Sequence, residues 1–200
     1  MKRYLGLLSC AALLLACGPK VDNSPNVIIE TGLGNIEIEV YPDKAPLSAG
    51  DFLKYVDRKY YHGQAFYRAV SSENDNREMG MSIIQGGRLE VEPISETVAH
   101  ESTKETGLRN NAGMVSLARK ELGTGSAAFF FINIENNNFL DFGGERHPDG
   151  QGFAVFGKVV SGMDIVQRIQ QGEKEAPREG DPNATQFLKS PVVITKAYRK

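Results

Sequence analysis

The chain has 200 residues, a formal net charge of -2 at pH 7 and a hydrophobic fraction of 40%. Its mean hydropathy of -0.33 is ordinary for a globular protein, and its length fits one domain with a tail, or at most two small domains. A charge so close to zero predicts neither nucleic-acid binding nor steering to a membrane, and no basic stretch is interleaved with aromatic residues.

The first residues differ in composition from the rest of the chain. Lys2 and Arg3 precede an almost uncharged apolar run from Tyr4 to Ala16. This run is too short to cross a bilayer as a helix, which needs about 20 apolar residues. The pattern is typical of a secretory signal peptide over residues 1–16, with a buried N-terminal helix as the alternative.

The run ends in Leu14-Leu15-Ala16-Cys17, which is similar to the lipoprotein box of bacteria. The resemblance implies that Cys17 becomes the lipidated first residue of a mature, membrane-anchored protein in the bacterial cell envelope. Gly18, in place of the aspartate that marks retention in the inner membrane of some bacteria, favours the outer membrane or the periplasmic face. Because Cys10 would be removed, the mature domain would carry no free thiol and no disulfide.

After cleavage, 21 basic side chains would face 25 acidic ones, since residues 1–16 contain Lys2, Arg3 and no acid. Residues 17–26 contain two prolines and short polar side chains, which predicts a lipidated, flexible tether. A single domain is expected over residues 27–200, because no second linker and no internal repeat interrupts it.

The domain opens with a predicted hairpin and a helix. Strands at residues 27–31 and 35–40 flank Gly32-Leu33-Gly34, and apolar residues alternate with glutamates in the second strand. Apolar residues at helical spacing then predict a helix over residues 48–60. We expect Ser48 to cap it and Gly63 to end it.

Short strands separated by turns follow. They are expected around residues 66–70, 83–85, 114–118, 129–134, 152–160 and 192–194. A second short helix is expected at residues 162–170, where Met163, Val166 and Ile169 recur at helical spacing. Many short strands with few helices indicate a sandwich or a barrel.

Five segments, read together, carry a more specific signal. They are Phe66-Tyr67-Arg68, Ile84-Gln85-Gly86-Gly87, the run from Gly113 to Arg119, Phe129-Phe130-Phe131-Ile132-Asn133, and the run from Val155 to Val159. In this order and spacing the chain resembles the cyclophilins, which are peptidyl-prolyl cis-trans isomerases. The resemblance covers residues 26–198 and implies a mainly β fold: a closed eight-stranded antiparallel barrel with two capping α-helices.

The resemblance also implies an activity, the isomerisation of prolyl peptide bonds during the folding of exported or envelope proteins. Arg68 stands where the family has its catalytic arginine, and a guanidinium beside the prolyl nitrogen would favour the twisted amide over the planar one. Gln85 matches the glutamine that orients this arginine. The alternative for Arg68, judged from its residue type alone, is a surface arginine on an edge strand.

Further positions match the family's proline pocket or its peptide groove. The predicted substrate-binding residues are Phe66, Ile83, Asn110, Ala118, Arg119, Phe129, Phe131, Leu140 and Phe153. For the apolar ones among them, the alternative is plain barrel core.

The chain departs from the family in four places. Tyr67 replaces a histidine beside the arginine, Phe153 replaces a pocket histidine, and Phe129 replaces a groove glutamine. The stretch over residues 69–84 is longer than in short family members, and Ser82 falls where the family has a pocket phenylalanine. Either the pocket is shallower, or Met79 or Met81 fills the gap.

The polar part of this stretch, residues 71–78, is expected to be a mobile loop that shapes the choice of client and weakens cyclosporin binding. We expect no cofactor and no metal, since His62, His100 and His147 lack metal-ligand spacing. The predicted partners are proline-containing unfolded or extended polypeptides and, through the lipid, a membrane. No nucleic acid is expected, and the protein is predicted to be a monomer. A catalytically weak peptide-binding or chaperone lipoprotein on the same scaffold remains the alternative, because of Ser82.

Overall fold

The computed structural model describes residues 24–88 and 96–200. Their β-strands form one closed antiparallel barrel in the order β1-β2-β7-β5-β6-β4-β3-β8. The strands are β1 (Asn26–Thr31), β2 (Gly34–Val40), β3 (Ala65–Val70), β4 (Ile83–Gly87), β5 (Met114–Leu117), β6 (Phe129–Asn133), β7 (Val155–Ser161) and β8 (Phe187–Arg199). The predicted closed eight-stranded barrel is confirmed.

Three α-helices lie among the described residues, where two were expected: α1 (Pro46–Asp57), α2 (Thr103–Thr106) and α3 (Met163–Gln170). Helix α1 packs against β7 and β8, and α3 packs against β2, β3 and β4. Both helices contribute buried apolar side chains to the cluster that fills the barrel. None of the helices in the described parts of the chain is long and apolar enough to span a membrane.

Helix α1 differs from its predicted bounds at both ends. It begins at Pro46, whose fixed φ suits the first helical position, and Ser48 lies inside it. The carboxylate of Glu101 accepts hydrogen bonds from the N–H groups of Leu47 and Ser48, at 3.0 and 2.7 Å. A distant acid therefore satisfies donors at the start of the helix in place of the expected cap by Ser48, and no local pattern could indicate this.

The strand at the C-terminus is much longer than the predicted residues 192–194. Its first half pairs with β3 and its second half pairs with β1, so β8 joins the two edges that would otherwise remain open. The outer face of this part of the barrel is exposed to solvent, so several residues of β8 are polar. These polar residues and Pro191 made the strand hard to recognise in the sequence.

The barrel interior follows the alternation of side chains along the strands. In β6, Phe130 and Ile132 point inward and belong to the main core, where the ring of Phe130 packs edge-on against Phe52, Tyr61 and Phe66. The alternate residue Phe131 belongs to a second, smaller apolar cluster outside the barrel wall. The candidate site therefore lies on the outer face of β3, β4, β5 and β6.

Candidate active site

A β-bulge in β3 turns the side chain of Arg68 toward the outer face. Phe66 pairs with Gly86 and Arg68 pairs with Gln85, so two steps on β3 match one step on β4. Strict alternation would place Phe66 and Arg68 on the same face. The extra residue, Tyr67, breaks this alternation, so Phe66 stays in the barrel core while Arg68 faces the site.

Two glutamine side chains hold the guanidinium of Arg68. Its Nη1 donates to Oε1 of Gln85 at 2.8 Å. Its Nε and Nη2 both donate to Oε1 of Gln186, at 3.1 and 2.5 Å. Among the described residues, no carboxylate forms an ion pair with Arg68. Burial lowers the pKa of Arg68, but a guanidinium remains charged at neutral pH.

The orientation of both glutamine amides follows from the chemistry of arginine, which only donates hydrogen bonds. Each amide must present its oxygen to Arg68, so each nitrogen faces away. Nε2 of Gln85 donates to the hydroxyl of Tyr67 at 2.9 Å, and Nε2 of Gln186 donates to the backbone oxygen of Asn74 at 3.1 Å. Burial raises the pKa of Tyr67 to about 12, so this hydroxyl stays neutral.

Gln186 was not predicted from the sequence. It is fully buried in the short 3-10 turn Ala184–Gln186 that leads into β8, 118 positions from Arg68. A glutamine in a polar loop carries no motif, so the only available signal was its place shortly before the last strand.

Arg68 and Gln85 border a cavity of about 290 Å³. The cavity wall is apolar on one side, where Phe153 packs edge-on against Phe131 with ring centroids 5.5 Å apart. The apolar lining consists of Met81, Ile83, Ala118, Phe131, Leu140 and Phe153. The structure thus brings eight of the eleven predicted catalytic or substrate-binding residues together in one cavity, if Arg119 on its rim is included.

Met81 occupies the place that Ser82 leaves without an apolar side chain. Met81 is 7% exposed and packs in the same cluster as Ile83, Phe131 and Leu140. Ser82 turns away, and its hydroxyl accepts a hydrogen bond from Nε2 of Gln170 at 2.9 Å. Of the two methionines considered, Met81 fills the gap, whereas Met79 borders an adjoining cavity.

The loop at residues 71–80, which was expected to be mobile, makes several polar contacts with the rest of the barrel. Nδ2 of Asn74 donates to the backbone oxygens of Ala69 and Thr185, at 3.1 and 2.9 Å. Asp75 pairs with Arg146 through contacts of 2.7 and 3.1 Å, and it also accepts from the N–H of Met81 at 2.9 Å. The side chains of this pair are 0% and 9% exposed, so the loop is anchored by a buried ion pair.

In residues 24–88 and 96–200, no three His, Cys, Asp or Glu side chains form a group that could hold a metal ion. The site combines a cation held by two glutamines with a cavity that has one apolar wall.

Comparisons with known proteins agree with this geometry. The family model described as "Cyclophilin type peptidyl-prolyl cis-trans isomerase/CLD" matches residues 26–199. The chain belongs to the cyclophilin family. It is 32% identical to peptidyl-prolyl cis-trans isomerase A of Dickeya dadantii, over 98% of this chain and 99% of that protein. It is 38% identical to a peptidyl-prolyl cis-trans isomerase of Acinetobacter baylyi, over 72% of this chain and 70% of that protein.

A solved structure shows the same fold at low sequence identity. The crystal structure of a cyclophilin-type isomerase from Cryptosporidium parvum aligns with a TM-score of 0.64 and 18% identity, covering 88% of this chain and 98% of that one.

Two predicted substrate-binding residues of this cyclophilin do not line the cavity. Phe66 is fully buried and packs against Phe130 inside the barrel, because it precedes the bulge and therefore faces inward. Phe129 shares the outer face with Phe131, but it is half-buried and packs against the main core at the far end of β6. The prediction for Phe66 is corrected, since its side chain supports the barrel wall from inside. The contact of Phe129 with substrate stays a prediction.

Asn110 lies beneath the cavity rather than in its lining, which corrects a second prediction. It is fully buried, and its Nδ2 donates to the backbone oxygens of Leu140 and Phe153, at 3.2 and 3.4 Å. Its Oδ1 accepts from the hydroxyl of Ser116 at 2.8 Å. Leu140 and Phe153 lie outside regular strands, and Asn110 supplies hydrogen bonds to their backbone oxygens. It thereby holds these two residues of the cavity wall in place.

Arg119 lines the cavity, but its charge is already paired. Its Nη1 and Nη2 each donate to Asp149 at 2.8 Å, and its Nε donates to the backbone oxygen of Gly152 at 2.8 Å. The guanidinium lies over the ring of Phe153, 5.4 Å from its centroid. Hydrogen bonds from Arg119 hold the pKa of Asp149 far below its usual range. Arg119 therefore braces Phe153 at the rim.

The anchor of the 71–80 loop gives a stability test. Asp75→Asn should lower the free energy of unfolding by about 3 kcal/mol, because it leaves the buried charge of Arg146 without its partner. Asp57→Asn is the matched control, since Asp57 pairs with Arg199 in an ion pair whose side chains are 49% and 44% exposed. That change should cost less than about 1 kcal/mol by urea denaturation. Equal effects of the two substitutions would contradict a buried anchor.

The same pair has a defined pH dependence. Burial would raise the pKa of Asp75, but hydrogen bonds from Arg146 and Met81 outweigh it, and the pKa is lowered from 3.8. A carboxylate whose pKa is lowered in the folded state stabilises the fold fully at pH values above its pKa in the unfolded state. This stabilisation is lost as the pH falls from there through the pKa of the folded state. The difference in stability between the parent protein and Asp75→Asn should therefore be constant above about pH 5 and shrink below about pH 4.

Proposed function

We propose that this cyclophilin is an active peptidyl-prolyl cis-trans isomerase that assists the folding of exported or envelope proteins. One observation supports it most: Arg68 is a partly buried cation with no carboxylate partner among the described residues, and it faces the apolar wall of a cavity. Two of the similar proteins carry this activity in their names, and one solved relative was crystallised in the presence of the dipeptide Ala-Pro.

The cavity suits the ground state of a prolyl peptide. Met81, Ile83, Phe131, Leu140 and Phe153 provide apolar and aromatic surface for a proline ring. Removing the ring from water against such surface is favourable without any charged contact. A ring held there leaves the amide bond before it near the polar side of the cavity, where Arg68 and Gln85 lie.

Arg68 then acts on the barrier to rotation, which is about 18–20 kcal/mol for a peptide bond. Twisting the bond ends amide resonance and returns a lone pair to the prolyl nitrogen. A donor that can reach this lone pair stabilises the twisted amide more than the planar one, which lowers the barrier. The effect is strong because the guanidinium is already fixed and largely removed from water. The reaction breaks no covalent bond and transfers no proton.

A spectroscopic isomerase assay on an Ala-Pro peptide tests this proposal. Arg68→Ala should lower kcat/KM about 100- to 1,000-fold while the fold is retained, because the fixed donor is lost. Arg109→Ala is the control, since Arg109 is exposed and lies outside the cavity lining. Background rates for both the parent protein and Arg68→Ala would refute the enzyme. They would favour the alternative, a peptide-binding or chaperone lipoprotein.

Two substitutions at Gln186 distinguish the contribution of the charge of Arg68 to kcat from that of its position. Gln186→Leu removes the acceptor for Nε and Nη2, and the mispositioned guanidinium should lower kcat about 10-fold with little change in KM. Gln186→Glu keeps an acceptor but adds a negative charge that compensates Arg68. We expect kcat to fall about 10-fold here too, since a paired guanidinium is a weaker donor to the prolyl nitrogen. Parent-like kcat in Gln186→Glu would show that position alone matters.

Envelope location is the second part of the proposal. It rests on the sequence of the first 17 residues, which lie outside the described residues. We propose that the chain is cleaved before Cys17, lipidated there and held at the outer membrane or the periplasmic face. The tether predicted for residues 17–26 would then separate the lipid from the barrel, which begins at Asn26.

Metabolic labelling with a fatty acid in a bacterial host tests the anchor. The full chain and Cys10→Ser should both incorporate the label and sediment with membranes. Cys17→Ser should incorporate none and should accumulate without cleavage. Loss of label in Cys10→Ser, or its persistence in Cys17→Ser, would contradict the proposed processing site.

A further inference from the structure

The cavity beside Arg68 has a strongly basic lining. Besides Arg68 itself, the side chains that border it include Arg77, Arg119, Lys120, Arg146 and His147. No aspartate or glutamate of the described residues is part of this lining. The whole chain, in contrast, has more acidic than basic residues. The positive charge at the cavity is therefore local and not a consequence of composition.

Two of these cations are already compensated by carboxylates just behind the wall. Arg119 is bound to Asp149 and Arg146 is bound to Asp75. Their charges serve the packing of the rim and of the 71–80 loop. They contribute little to the attraction of a second anion, because each forms a close pair.

His147 lies beside the same Asp149, 2.9 Å from its carboxylate. The other two side chains, Arg77 and Lys120, are exposed and form no ion pair with any described residue. Arg77 is held in place by a hydrogen bond to the backbone oxygen of Arg146, and it borders both this cavity and the adjoining one. Glu78 and Glu145 border only the adjoining cavity. Arg68, Arg77 and Lys120 are therefore three positive charges around one cavity that have no ion-pair partner in the described part of the chain.

We propose that the site prefers proline-containing segments that carry an aspartate or glutamate beside the proline, and that Arg77 and Lys120 determine this preference. The inference deepens the proposed function and rests on it for the identity of the site. Arg77 comes from the 71–80 loop, so the loop contributes to specificity directly. A carboxylate next to the proline would meet Arg77 or Lys120 at the rim while the ring enters the apolar wall, and a lysine there would be repelled.

The test compares matched peptides that differ only in charge. Two pairs are used, with Glu or Gln directly before the proline and with Glu or Gln directly after it. We expect kcat/KM to be about three- to tenfold higher for Glu in at least one pair, as expected for one or two exposed ion pairs. The preference should shrink between 20 mM and 500 mM salt, because exposed charges are screened.

Variants assign the effect to the two side chains. Arg77→Gln combined with Lys120→Gln should abolish the preference, so that the Glu and Gln peptides of each pair are isomerised at equal rates. Lys196→Gln is the control. Lys196 is an exposed cation on β8, where it pairs with β1, outside the cavity lining. It should leave the preference intact.

The outcomes separate this inference from the proposed function. Equal rates for Glu and Gln in both pairs would overturn the preference while leaving the isomerase established. If no peptide is isomerised, the proposed function fails, and fluorescence polarisation with the same labelled peptides decides the inference. Tighter binding of the Glu peptides, lost in the double variant, would support it, and equal binding would overturn it.

Discussion

The site depends on one arrangement: a positive charge held between two neutral amide oxygens. A carboxylate would hold Arg68 more firmly than Gln85 and Gln186 do, but it would also compensate the charge. Two amides fix the plane of the guanidinium while leaving its electrostatic potential available to a substrate. Keeping an uncompensated charge largely away from water is costly, so the surrounding structure must stabilise it.

The barrel provides this support through two local irregularities. The bulge at Tyr67 brings Arg68 beside Gln85 on the outer face without removing Phe66 from the core. The neighbouring strand β4 must also end in two residues without side chains. A Cβ on Gly86 would lie 2.7 Å from the ring of Phe66, and Gly87 has a φ of +135°, which other residues rarely adopt. Strands β3 and β4 can therefore approach each other closely beside Arg68.

The sequence predicted those features that depend on short segments, and it failed where distant segments meet. The alternation in β2 is a local pattern and indicated a strand, whereas the closed barrel and the Arg68–Gln85 pair were foreseen through the resemblance of five short segments to the cyclophilins. The roles of Gln186 and Glu101 depend on partners 118 and 53 or 54 positions away, and no periodicity encodes them. Phe66 was misassigned for a related reason, since a bulge changes which face a residue occupies without changing its neighbours in the chain.

The 71–80 loop shows how an extension can become part of a site. It supplies Met81 at its end to the apolar wall, and the backbone oxygen of Asn74 receives the amide of Gln186. Through Gln186 the loop is two hydrogen bonds away from Arg68. A loop that moved freely would leave the amide of Gln186 free to rotate and the charge of Arg68 poorly aimed. The buried pair of Asp75 with Arg146 therefore stabilises more than the loop, because the orientation of the arginine depends on the loop remaining in place.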